Sequence, residues 1–244
     1  NGHGTHVTGI AAGSGERDTS MTGIAPESDI VFVKGLRDHN SSGLFSDGDM
    51  IAGCRYIFNK ADELSKPAVI NMSIGTPLGP HDGTSLLEQS LSEMVGPGKI
   101  ICVSAGNNGN MPIHAGTDYK AGENIEAPIA PFNICTLYPR FCPDIENIYI
   151  AAADLWYTSN TVDSIKIAAY ERQGISVNYL TDMTVNVGDS IYNRPMINDS
   201  DVLGFISADA RSAQNPDNNS GEAMIFISNL GDTTVKVSSY IWSI

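Results

Sequence analysis

His3 lies in the run Asn1-Gly2-His3-Gly4-Thr5-His6-Val7-Thr8-Gly9-Ile10-Ala11-Ala12-Gly13. Small residues surround it, and apolar residues at helical spacing follow. Glycines at 2 and 4 let another backbone approach the imidazole closely. An imidazole at a helix start can serve as an exposed general base, and it can equally be helix punctuation. His3 and His6 share one helix face, as a metal pair would. The HExxH glutamate is absent and no third ligand is evident, so zinc is not expected. A serine occurs in Gly83-Thr84-Ser85-Leu86, but Ser85-Leu86-Leu87-Glu88 is a capping box, which makes Ser85 structural. Asn107, in Ser104-Ala105-Gly106-Asn107-Asn108-Gly109, reads by itself as a turn asparagine. Ser41-Ser42-Gly43 reads by itself as a polar loop. Cys54 and Cys102 sit in apolar segments and are expected as buried free thiols. Cys135 and Cys142 flank a short loop, where spacing leaves a local disulfide open. There is no CxxC pair. The acidic pairs Asp47/Asp49 and Asp199/Asp201 could bind calcium, although they read first as solvated loops. No specific motif supports calcium, and no metal or other cofactor is expected.

Positioning such residues requires elements, and the chain supplies two kinds. Ile30-Val31-Phe32-Val33-Lys34, Ala68-Val69-Ile70-Asn71-Met72-Ser73 and Ile100-Ile101-Cys102-Val103-Ser104 read as buried strands. Between them, residues 47–64 place Met50, Ile51, Cys54, Ile57, Phe58 and Ala61 at helical spacing, and residues 85–95 do likewise. Strands alternating with helices predict an α/β unit with a mostly parallel sheet. Beyond it, residues 116–147 are rich in Gly, Pro and Asn and read as a connector. Short β-rich runs follow at 148–153, 165–170, 176–179, 183–187, 202–207, 223–228 and 234–242. Such spacing predicts an all-β sandwich or jelly roll. The expected organisation is therefore 1–115 as an α/β domain, 116–147 as connector and 148–244 as a β-rich domain. Trp156, Tyr157 and Tyr240 could face a sugar or peptide, although aromatics in such runs are more often core.

Composition limits the partners. The 244 residues include 28 acidic and 14 basic side chains, for a net charge of −14. That charge disfavours nucleic acid and anionic membranes. The apolar runs are too short to span a bilayer.

The motifs resemble those of the subtilisin-like serine proteases, the subtilases. His3-Gly4-Thr5-His6-Val7-Thr8-Gly9 is similar to the family's histidine motif, and Gly23-Ile24-Ala25-Pro26 to its Gly-Val-Ala-Pro. Asn71-Met72-Ser73-Ile74-Gly75 resembles Asn-Met-Ser-Leu-Gly, and Ser104-Ala105-Gly106-Asn107-Asn108-Gly109 resembles Ala-Ala-Gly-Asn-x-Gly. Four motifs in the family's order are far more specific than any one. The resemblance implies that His3 is the general base and that Asn107 donates to the oxyanion. It also implies that Ser73-Ile74-Gly75 and Ser41-Ser42-Gly43 form the two edges between which a peptide adds as a strand.

Two parts of the family pattern do not occur in these residues: Asp-Ser/Thr-Gly before the histidine and Gly-Thr-Ser-Met-Ala after the asparagine. The resemblance therefore implies a middle piece of a serine endopeptidase, with aspartate and serine outside it and no activity alone. The β-rich remainder resembles an insertion found between asparagine and serine in subtilases of anaerobic bacteria. A secreted or cell-envelope bacterial protein acting on peptides or proteins is the corresponding expectation. Self-association of the truncated chain is expected from its cut sheet. The rival reading is a non-catalytic pseudoprotease, or a peptide- or carbohydrate-binding module.

Overall fold

The computed structural model describes residues 2–35, 46–111, 113–120, 122–133, 135, 147–158, 161–211, 220–230, 232 and 234–244. The chain forms a mixed α/β structure of two compact units. One comprises Asn1–Pro77 and His81–Met111, the other Leu78–Pro80 and Pro112–Ile244.

The first unit begins with α1 (His3–Ala12), a helix of small residues that buries no side chain completely. Its C-terminal end is held by the returning chain. The Gly23, Ile24 and Ala25 N–H groups donate to the Gly13, Ile10 and Ala11 carbonyls at 2.8, 3.1 and 2.8 Å. A Cβ on Gly23 would sit 2.4 Å from Gly13 N and 2.8 Å from Gly9 O, so only glycine fits this approach. Helix α2 (Asp47–Glu63) starts at Ser46, whose hydroxyl accepts from the Asp49 N–H at 3.1 Å. Asp47 and Asp49 in its first turn suit the positive end of the helix dipole. Cys54, Phe58 and Ala61, spaced four and three residues apart, are the buried stripe. Strands β1 (Ala68–Met72) and β2 (Lys99–Val103) pair in parallel, with Val69 opposite Ile100 and Ile70 opposite Ile101. Helix α3 (Leu86–Met94) connects them. The small core joins Cys54 and Phe58 of α2 to Ile70 and Met72 of β1, with Leu91, Met94 and Ile101 packed alongside.

Two expectations are corrected here. Residues 30–34 form no strand: Ile30 and Phe32 are exposed, and the segment has no ladder partner among the described residues. A buried apolar run becomes a strand only when another strand satisfies its amides. Instead Val33 lies against Gly53 of α2 and the Phe32 ring against Gly4. Cys102 is also not buried. The two-residue alternation of β2 turns Ile101 toward the core and Cys102 away from it. Cys54 is the buried free thiol, and burial pushes its ionisation upward.

The second unit contains two antiparallel sheets. One has the order β4 (Phe132–Asn133), β5 (Tyr149–Thr158), β10 (Ser220–Ser228), β9 (Asp201–Ala210), β8 (Ser190–Asn198). The other has the order β3 (Pro128–Ile129), β11 (Ile241–Ser243), β6 (Ser164–Gln173), β7 (Ser176–Asn186). Alternate residues of both sheets enter one core: Ala151, Ile206, Ala208 and Ile225 from the first, Ile167, Ala169, Val185 and Trp242 from the second. Gly204 marks where the layers touch, since a Cβ there would lie 3.1 Å from the Trp242 ring. The fully buried Trp242 indole N–H donates to the Val237 carbonyl at 3.0 Å.

The runs expected at 176–179 and 183–187 are one continuous strand, β7. Most of 234–242 is not strand: a 3-10 turn, Val237–Ser239, leads into short β11. Strand β8 was not expected. Cys135 is disulfide-bonded, while Cys142 lies outside the described residues. Tyr157 is buried and Tyr240 stacks edge-on against Trp242, so both serve the packing.

Candidate active site

His3 is the first residue of α1, exposed, and preceded by Gly2 with no side-chain cap. Among the described residues no carboxylate bonds its imidazole. The helix is oriented by the Gly23–Ala25 return, and the Phe32 ring covers the helix beside Gly4. The glycine-rich sequence around His3 thus does two jobs: it leaves the imidazole open and admits close neighbours.

Asn107 and Ser73-Ile74-Gly75 follow the carboxyl ends of the two parallel strands, the edge at which open α/β sheets place their sites. The ladder continues one step past β2, where the Ser104 N–H donates to the Met72 carbonyl at 3.1 Å. The Ser104 hydroxyl then donates to the Ile74 carbonyl at 3.2 Å. These two bonds tie the segment that carries Gly75 to the turn that carries Asn107. Gly106 adopts φ +86, a left-handed conformation that turns the chain sharply into Asn107. Asn107 is exposed, so its amide is free to meet a ligand from solvent. Asn108 is held beside it, its amide donating to the Met111 sulfur at 3.6 Å.

The strand ends rest on a packed floor. The buried Cys54 thiol donates to the Met72 sulfur at 3.8 Å, directly under the residue that precedes Ser73. The Asn71 side-chain amide donates to the Ser73 hydroxyl at 2.9 Å, which sets the start of the segment. A Cβ at Gly75 would meet nothing nearer than the Ser104 carbonyl at 4.0 Å. Glycine is not required there for internal space, and it leaves an open backbone edge.

The structure therefore brings Ser73, Ile74 and Gly75 together with the Asn107 turn. His3 stands on a separate element, and no hydrogen bond joins it to Asn107. Ser41, Ser42 and Gly43 lie outside the described residues. Ser85 is committed to its cap: its hydroxyl accepts from the Glu88 N–H at 3.2 Å, while its own N–H donates to the Glu88 carboxylate at 3.1 Å. Two contributors had no assigned role from sequence, Ser104 and Asn71. Both lie inside the quoted motifs, yet a motif does not say which hydroxyl spans two strands. No group of three or more His, Cys, Asp or Glu side chains among the described residues could hold a metal ion.

Comparison with known proteins supplies the context for this edge. The model of the Subtilase family matches residues 1–236. A thermophilic serine proteinase of Bacillus sp. (strain AK1) is 38% identical over 120 residues, 49% of this chain and 27% of that protein. Thermitase of Thermoactinomyces vulgaris is 36% identical over 110 residues, 45% of this chain and 35% of that protein. The chain thus spans about a quarter to a third of the curated relatives it matches. The structure of the Clostridium perfringens CspB protease covers 99% of this chain at a TM-score of 0.58 and 22% identity, and this chain covers 46% of it. That likeness is one of fold, and it extends over the β-rich unit as well as the α/β unit. With the family's pattern running across nearly the whole sequence, the chain belongs to the subtilase family.

Proposed function

We propose that this chain is the histidine- and asparagine-bearing part of a serine endopeptidase that hydrolyses peptide bonds by a Ser/His/Asp mechanism. Its domains are 1–115, a partial catalytic domain; 116–147, a connector; and 148–244, a β-rich, sandwich-like insertion between the oxyanion asparagine and the catalytic serine. The observation that carries the reading is the bond from the Ser104 hydroxyl to the Ile74 carbonyl, which holds a glycine-ended strand edge beside an exposed asparagine.

In this reading a substrate strand pairs with Ser73–Gly75 on one side and Ser41-Ser42-Gly43 on the other. His3 accepts the proton of the attacking serine and passes it to the leaving amine, as in subtilisin itself. The Asn107 amide donates to the oxygen that becomes negative in the tetrahedral intermediate. The aspartate and serine lie outside these residues, so the chain alone does not turn over substrate. We place the protein outside the cytoplasm or at the cell envelope, a reading that the disulfide at Cys135 supports, since such bonds persist in oxidising compartments.

The test is casein hydrolysis by the full-length protein containing this chain. Active protein that loses at least about 1,000-fold in kcat on His3→Ala supports the reading, because the base is part of the covalent machinery. An unchanged rate removes His3 from the mechanism.

A further inference from the structure

The turn that carries Asn107 holds a second asparagine with a chemistry of its own. Asn108 is followed by Gly109, and residues 107–111 are all exposed. The Met111 N–H closes this turn by donating to the Asn108 carbonyl at 2.8 Å. The Gly109 N–H, inside the turn, makes no hydrogen bond among the described residues. The Asn108 side-chain amide donates to the Met111 sulfur at 3.6 Å, and sulfur is a weak acceptor that restrains it little.

An asparagine side chain can close a ring on the backbone nitrogen of the next residue. A Cβ on that residue obstructs the approach, and glycine has none. At Gly109 nothing lies within 4 Å of the position a Cβ would take, so the approach is open from outside as well. Asn178 is the contrast within this chain. It is exposed too, but it is held in β7 opposite Glu171 and is followed by Tyr179.

We propose that Asn108-Gly109 is a self-modifying site, whose deamidation turns down the neighbouring oxyanion donor. The Gly109 nitrogen gives up its proton and attacks Asn108 Cγ. The new C–N bond closes a succinimide, the Cγ–Nδ2 bond breaks, and ammonia leaves with that proton. Water then opens either ring C–N bond to give aspartate or isoaspartate, and no oxidant or reductant takes part.

The product differs from Asn108 in two ways that bear on Asn107. Its carboxyl is charged at neutral pH. Asn108 Oδ1 lies 3.6 Å from where a Gly106 Cβ would sit, so the charge arises against the bend that leads into Asn107. A negative charge there opposes the negative oxygen of the tetrahedral intermediate. Isoaspartate also routes the backbone through the side chain, which adds a methylene directly after Asn107. This consequence rests on Asn107 being the oxyanion donor, whereas the modification itself does not.

The experiment ages the full-length protein at mildly alkaline pH, with peptide mapping by mass spectrometry and hydrolysis of a casein-derived peptide. Asn108 should convert to aspartate and isoaspartate while Asn178 stays intact. The converted protein should lose about 10-fold or more in kcat with KM within about 2-fold, because the lost stabilisation belongs to the transition state. Gly109→Ala fits the open space and the backbone, since Gly109 is not left-handed. It should begin with the unaged kcat and slow both losses about 10-fold or more. Asn108→Asp should lower kcat from the outset. Survival of Asn108 through ageing, or equal conversion in Gly109→Ala, overturns the site. Conversion with an unchanged kcat overturns its effect on Asn107. Asn107→Ala reads the donor separately. If it leaves kcat unchanged, or if the full-length protein hydrolyses nothing, the oxyanion reading fails and the catalytic consequence falls with it, while the peptide map still decides the modification.

Discussion

The roles proposed for Asn107 and His3 fall at different moments of the reaction, and that difference is measurable. An oxyanion donor bonds an oxygen that is negative only in the transition state, so its removal lowers kcat and spares KM. Asn107→Ala in the full-length protein should lower kcat by about 100- to 1,000-fold, the range already known for this donor in subtilisin. A change confined to KM would place Asn107 in substrate binding instead. The two free thiols among the described residues offer a second residue-scale test. Cys54 is 3% exposed and burial raises its pKa, whereas Cys102 faces solvent. Brief iodoacetamide treatment of the folded chain should modify Cys102 and leave Cys54 intact, since the exposed thiolate reacts. Equal labelling would contradict the packing of β1 on α2.

Elements carry the next level of consequence. Gly23→Ala places a methyl within 2.8 Å of three backbone atoms of α1 and its end. It should destabilise the fold by about 1–3 kcal/mol in urea unfolding, as overpacking does. A change under about 0.5 kcal/mol would show that α1 is not held by this approach. Glu126 is a second test. Its carboxylate accepts from the Ser243 hydroxyl at 2.6 Å and from the Tyr170 hydroxyl, which link β11 and β6. Both bonds favour the charged form and hold its pKa below the ordinary carboxylate value. A lowered folded pKa means stability that is present above the unfolded value near 4.5 and lost as pH falls through the folded one. Glu126→Gln should therefore flatten the acid limb of the stability profile, and an unaltered limb would exclude the linkage.

How far the sequence reaches is also clearest among the elements. Helices α2 and α3 were legible because stripe and cap agree: Cys54, Phe58 and Ala61 on one, Ser85 with Glu88 on the other. The segments proposed as the site were legible as strand ends and a sharp turn, which small residues such as Gly75 and Gly106 permit. Strand β8 was not, for two physical reasons. It is an edge strand, which tolerates Pro195. Its pairing also slips between Ile191 and Arg194, where Asn193 adopts φ +48 and breaks the alternation. Residues 30–34 were misread for the opposite reason: the apolar pattern was present, but a ladder partner cannot be seen in a local pattern.

At the scale of the molecule, the two units differ in how they bury apolar surface. The β-rich unit closes around fully buried Trp242, Ile206 and Ile225. Trp242→Ala should destabilise it by about 3–5 kcal/mol, because the cavity would lie where the two sheets meet. The α/β unit leaves Val69 and Ile100, a register pair on one face of its two strands, 66% and 52% exposed. We expect the isolated chain to self-associate through such surface, with a light-scattering mass above the monomer's 26.0 kDa. The central claim is that this chain holds the base and oxyanion donor of a peptidase whose nucleophile lies elsewhere. Its most direct test is labelling with a fluorophosphonate probe and mapping the modified peptide, on this chain and on the full-length protein. The account predicts no label on this chain and a single labelled serine beyond residue 244 in the full-length protein. Labelling at Ser85 or any other serine of this chain, or no labelling of the full-length protein at all, would contradict it.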